Sequence, residues 1–106
     1  MGLGPVFAMA RMEAQTGLTL ADADIIEINE AFAAQYISVE RELQLDRNRV
    51  NVNGGAIAIG HPLAATGLRL ATTLARELRR SQLRYGVASA CIGGGQGIAM
   101  LLENQI

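Results

Sequence analysis

Three side chains in this sequence could carry chemistry by their type and by their place, since each stands at the end of an apolar segment. His61, the single histidine of 106 residues, lies in the run Asn51-Val-Asn-Gly-Gly-Ala-Ile-Ala-Ile-Gly-His-Pro-Leu-Ala-Ala-Thr-Gly67. An imidazole held there can donate to a developing oxyanion or shuttle a proton; taken alone, a histidine before a proline is also an ordinary surface or core residue. Cys91, the single cysteine, stands just ahead of Gly93-Gly-Gly95. Backbone N–H groups of that glycine loop could stabilise a thiolate and an oxyanion nearby, and the alternative is a small buried hydrophobe. Asn29 follows Ile25-Ile-Glu-Ile28 and can orient a water or a carbonyl, cap the helix after it, or do both. One cysteine and one histidine are too few ligands for a zinc site.

The elements that must position these groups follow from spacing. Pro5 opens a helix that runs to Thr16, with Gly17 as its left-handed cap. Thr19-Leu-Ala-Asp22 has the form of a capping box over a single turn. Ile25–Ile28 is a short buried strand, and from Glu30 the apolar positions Phe32, Tyr36, Val39 and Leu43 take helical spacing. Leu45 to Arg49 is a polar loop, Val50 to Val52 a second short strand, and Ala56 to Ile59 a short buried segment. Pro62 pushes His61 out of the α region and fits the first turn of a helix, so His61 is expected on a loop just before a helix start. That helix carries Leu63, Gly67, Leu70, Leu74 and Leu78 on one face and ends in Arg79-Arg80, where basic charge meets the negative end of the helix. Tyr85–Ile92 and Ile98–Leu102 are strands that form a hairpin around Gly93-Gly-Gly-Gln-Gly97. A dinucleotide loop would need a helix after the glycines, and a strand follows instead.

Composition narrows the class. Half of the residues are apolar, and nine basic against ten acidic residues give a formal net charge of −1. These values fit one compact domain and offer no basic stripe for nucleic acid. No apolar run approaches the roughly 20 residues of a membrane span. The first residues lack the charged start and long apolar centre of a signal peptide. A lone cysteine makes a reducing compartment the expectation, hence cytoplasmic, with a mitochondrial or peroxisomal matrix as variants.

Asn29-Glu-Ala-Phe-Ala33, the run from Asn51 through Gly60-His61-Pro62 to Thr66-Gly67, and Cys91-Ile-Gly-Gly-Gly95 resemble, in order, the three active-site blocks of the thiolases. The resemblance runs from Met1-Gly-Leu-Gly-Pro5 to Leu102-Glu103 and covers only the C-terminal domain of that family. It implies an α/β domain over residues 1–106, a mixed sheet covered by helices, as the C-terminal half of a layered αβαβα fold. The activity it implies is acyl transfer between coenzyme A thioesters, either thiolysis of a 3-ketoacyl-CoA or the reverse Claisen condensation. No cofactor is implied beyond those substrates, and no metal.

By position, the resemblance makes Cys91 the acid/base at the substrate α-carbon. His61 becomes the group that activates the acyl-carrying cysteine and, with a water held by Asn29, forms one oxyanion hole. The Gly93 N–H becomes part of a second. Met1, Ala31 and Phe32 match positions that line the pantetheine channel. The resemblance also implies parts not found in this sequence: the N-terminal domain with the acyl-accepting cysteine, most of the nucleotide-binding loop, and the strand before Met-Gly-Xaa-Gly-Pro, so that Met1 is read as an internal methionine. The expected partners are acyl-CoA, CoA, a thiolase N-terminal domain and further copies of the chain, with no nucleic acid or membrane; the alternative is an inactive fragment that binds acyl-CoA or a partner subunit. Ala64 replaces a common glycine, harmless if it lies in a helix's first turn, and Phe7 a common proline.

Overall fold

A computed structural model describes residues 2–93 and 95–105. Helix α1 (Gly4–Thr16) has Pro5 in its first turn, where a missing N–H costs nothing, and it ends at Gly17 with φ +77°. A single 3₁₀ turn at Leu20–Asp22 follows, where the Thr19 N–H donates to the Asp22 carboxylate at 2.8 Å. Strand β1 (Ile25–Ile28), helices α2 (Ala33–Leu43), α3 (Ala56–Ile59) and α4 (Thr66–Arg80), and strands β2 (Tyr85–Ile92) and β3 (Gln96–Glu103) follow, with further 3₁₀ turns at Arg47–Arg49 and Leu63–Ala65.

The three strands form one mixed sheet in the order β1-β2-β3. β1 runs parallel to β2 with Ile28 opposite Ser89, and β2 runs antiparallel to β3 with Cys91 opposite Gly97. Alternation along the strands sends side chains to two cores. On one face Ile26, Ile28 and Val87 pack with Met9 and Met12 of α1 and Tyr36 and Val39 of α2; on the other Ile25 and Ala88 pack against Leu70, Leu74 and Leu78 of α4. A sheet with helices on both faces is therefore what the apolar pattern produces.

Several elements differ from the sequence reading. Helix α2 begins at Ala33 rather than Glu30, with Phe32 as its N-cap, so Asn29 does not cap it. Val50 makes a single parallel bridge to Ile26, and no strand continues to Val52 because Asn51 turns into the left-handed region at φ +49°. The segment Ala56–Ile59 is one helical turn in which only Ala56 is buried, while Ile57 and Ile59 are 68% and 56% exposed. Leu63 lies in a 3₁₀ turn (Leu63–Ala65) ahead of α4 and is 81% exposed, and Gly67 is exposed too; only Leu70, Leu74 and Leu78 of the expected stripe face the core. Ala64 is in that turn and is not among the positive-φ residues, so the alanine carries no backbone strain. The closing strand starts at Gln96, two residues earlier than expected, which shortens the glycine loop. Phe7, on α1, is exposed.

Candidate active site

The site forms at the end of the sheet where β1 and β2 both finish. Asn29, the first residue after β1, is 1% exposed, and its backbone N–H donates to Ser89 O at 2.9 Å, which extends the parallel ladder by one rung. Its side-chain Nδ2 lies 3.5 Å from His61 Nε2. Asn29 Oδ1 is buried, and no described protein group donates to it. A buried amide oxygen of this kind calls for an external donor. The other imidazole nitrogen, His61 Nδ1, is 2.6 Å from Thr66 Oγ1, and that hydroxyl lies 3.1 Å from Pro62 O. Thr66 is buried at the first residue of α4, whereas His61 is exposed, so an exposed ring is steadied from beneath by a buried hydroxyl.

The loop carrying His61 is fixed by its neighbours. The Glu30 carboxylate accepts from the Ile57 N–H at 3.1 Å and ties the β1–α2 connection to α3. A Cβ at position 55 would overlap that carboxylate, so Gly55 is the condition for the contact. Gly60 closes α3 with φ +100°, a conformation open to glycine, and redirects the chain so that His61 returns to Asn29. Asn51 anchors the start of the loop on β1: its Oδ1 accepts from Ile28 N–H at 2.9 Å, its Nδ2 donates to Ile28 O at 3.0 Å, and its backbone N–H donates to Ile26 O at 2.9 Å. This side chain acts as a short strand partner along the outer edge of β1.

Cys91 lies near the C-terminal end of β2, partly buried and unpaired, two residues beyond Ser89. The structure thus brings Asn29 and His61 into contact and sets Cys91 at the same end of the sheet. Among the described residues no side-chain hydrogen bond joins Cys91 to either of them. Gly93 is in the exposed turn after β2. Ala31 and Phe32 lie in the bend before α2, and the Phe32 ring is 63% exposed, open to whatever approaches that end of the sheet. Met1 lies outside the described residues.

Sequence reasoning missed a second layer. Thr66, Glu30 and Asn51 were all inside the motifs, yet their roles depend on contacts that spacing does not display. Glu27, also missed, is 1% exposed on β1, and its Oε1 is 3.4 Å from Arg69 Nη1 of α4. Burial raises its carboxyl to about 7, against the opposing pull of Arg69 and with smaller upward pushes from Glu30 and Glu77. The available signal was an acid in an otherwise apolar strand buried on both faces.

With this geometry established, the comparisons with known proteins fit the arrangement. Residues 1–104 match the family model described as thiolase, C-terminal domain, and the chain belongs to that family. It is 58% identical over 104 residues to the mitochondrial 3-ketoacyl-CoA thiolase of Bos taurus, covering 98% of this chain and 26% of that protein. It is 52% identical over 103 residues to the acetyl-CoA acetyltransferase of Escherichia coli, covering 97% of this chain and 26% of that protein. The crystal structure of human mitochondrial 3-ketoacyl-CoA thiolase in complex with CoA superposes with a TM-score of 0.96 at 53% identity, covering 99% of this chain and 27% of that one. The chain therefore spans about a quarter of the length of the curated relatives it matches, and the α/β fold class implied by the three motifs is the one observed.

Proposed function

We propose that this chain is the C-terminal catalytic half of a thiolase-type acyltransferase, moving acyl groups between coenzyme A thioesters. The observation that carries the reading is the meeting of Asn29 and His61 at the sheet end that also holds Cys91. An enolate or tetrahedral oxyanion beside a thioester needs fixed donors, and each is worth roughly 3–4 kcal/mol of barrier. In this reading His61 takes the proton of the acyl-accepting thiol and, with a water held at Asn29, supports one oxyanion. Cys91 removes or returns the proton at the α-carbon, and the Gly93 N–H supports a second oxyanion. Ala31 and Phe32, and Met1 by resemblance alone, line the approach of the pantetheine arm. CoA and acyl-CoA are the ligands, a role supported by the CoA-bound relative.

Two cysteines are needed for this reaction and the chain has one, so turnover requires the acyl-accepting thiol from a further segment, either of a longer protein or of another chain. Exposed Ile57, Ile59, Leu63, Leu68 and Ile98 supply apolar surface for such an N-terminal domain or for a second copy. A matrix or cytoplasmic setting follows the relatives, one of which is named mitochondrial; among the described residues no helix is long and apolar enough to cross a membrane.

The test is thiolytic cleavage of acetoacetyl-CoA by the chain alone and mixed with a separately produced thiolase N-terminal domain. Activity is expected in the mixture only, with His61→Ala or Cys91→Ala lowering it at least ~100-fold. A mixture that binds acyl-CoA without cleaving it would overturn the catalytic reading in favour of a binding fragment.

A further inference from the structure

We propose that Thr66 is a positioning residue that holds His61 in the Nδ1–H tautomer and leaves Nε2 as the basic nitrogen facing Asn29. Its consequence for catalysis rests on the acyl-transfer reading above, but its content rests on hydrogen bonding alone. A threonine hydroxyl has one proton to give. Thr66 Oγ1 is 3.1 Å from Pro62 O, a group that can only accept. That contact spans four residues back along the chain at the start of α4, the place where a threonine hydroxyl bonds a preceding carbonyl. The Pro62 carbonyl also takes the Ala65 N–H at 2.7 Å, and its two lone pairs accommodate both donors. With its proton committed to Pro62 O, the hydroxyl faces His61 Nδ1 at 2.6 Å as an acceptor, so Nδ1 must carry the hydrogen.

The opposite side of the ring agrees. Asn29 Nδ2, a donor without lone pairs to offer, is the amide atom facing Nε2 at 3.5 Å. A neutral imidazole pinned between an acceptor at Nδ1 and a donor at Nε2 has one tautomer that satisfies both. The competing arrangement reverses every arrow: Thr66 donates to Nδ1, and Nε2–H donates to a rotated Asn29 amide through Oδ1. In that form Nε2 has no lone pair for a thiol proton. Thr66 is held rigidly, being 5% exposed under the exposed ring, so the direction of its single O–H bond decides which nitrogen is the base.

Because His61 is the only histidine, the ring can be read directly in the full 106-residue chain. Long-range ¹H–¹⁵N correlation at a pH where the ring is neutral should place Nδ1 at the protonated and Nε2 at the unprotonated nitrogen shift. Thr66→Ser, which keeps the hydroxyl, should retain that order, and Thr66→Val, which replaces it with a methyl of the same size, should raise the Nε2–H share, since only the 3.5 Å Asn29 contact is left to oppose it. A wild-type spectrum dominated by Nε2–H, or an unchanged tautomer ratio in a folded Thr66→Val chain, overturns the proposal. If Thr66→Val does not fold, the wild-type and Thr66→Ser spectra decide. The two readings fail separately: an Nδ1–H ring in a chain that gives no thiolysis with the supplied half refutes acyl transfer only, and an active mixture with an Nε2–H ring refutes only the role of Thr66.

Discussion

Replacing Glu27 with glutamine should change how the stability of this chain depends on pH. The carboxyl is buried between β1 and α4, with Arg69 touching one oxygen at 3.4 Å, and its pKa is raised from 4.5 to about 7. Below about pH 4.5 the group is protonated in both the folded and unfolded chain, and its stabilising contribution is fully present. As pH rises toward 7 the unfolded chain loses this proton while the folded chain keeps it, so stability falls. The slope is about 1.4 kcal/mol per pH unit over an interval of roughly 2.5 units, about 3 kcal/mol in all, and the loss levels off once pH passes about 7. Glutamine has the shape of the protonated acid and no titration. Glu27→Gln should therefore match the wild type in mild acid and exceed it by up to about 3 kcal/mol in mild alkali. Urea denaturation followed by circular dichroism across this range measures the difference directly. Other groups cancel in the comparison; Glu40 and Glu77, lowered by their hydrogen bonds to Arg47 and Arg80, titrate below 4.5. Parallel wild-type and variant curves through the interval would refute the reasoning, because the buried carboxyl would then ionise at no cost.

Two further perturbations probe the supports of the His61 loop. Asn51→Ala removes both side-chain bonds to Ile28 and puts alanine at φ +49°, so a loss of about 2–3 kcal/mol is expected in the same assay, with Asn51→Gly losing less because it keeps the bond deficit but not the strain. Gly55→Ala should cost about 1–3 kcal/mol by pushing a methyl into the Glu30 carboxylate, and the cost should shrink in a Glu30→Ala background; equal costs in both backgrounds would separate Gly55 from Glu30.

The sequence displayed what depends on order and local pattern. α1 with its Gly17 cap, β1, the hairpin of β2 and β3, and the loop position of His61 before a helix were all legible from proline, glycine and apolar spacing. It misled where a tertiary contact overrode the local signal. Apolar spacing from Phe32 predicted a helix at Glu30, but the Glu30 side chain is drawn to the Ile57 N–H and the helix starts at Ala33. Ile57 and Ile59 look like core residues in sequence and are exposed on a single turn. The approach of Asn29 to His61 spans 32 residues, and only the combined motifs hinted at it. The Glu27–Arg69 pair spans 42 and left no periodic trace beyond one misplaced acid.

Asn51 has a consequence beyond the loop it anchors. Its carboxamide already occupies both main-chain groups of Ile28, and its own N–H occupies Ile26 O. A visiting strand would have to evict a tethered side chain to dock beside β1. At the opposite flank, β3 pairs with β2 alone among the described residues. The sheet is thus occupied on the flank that carries Asn29 and unpaired among the described residues on the other, so any lengthening of the ladder, by another part of a longer protein or by a second molecule, is steered away from the end of β1 that carries Asn29.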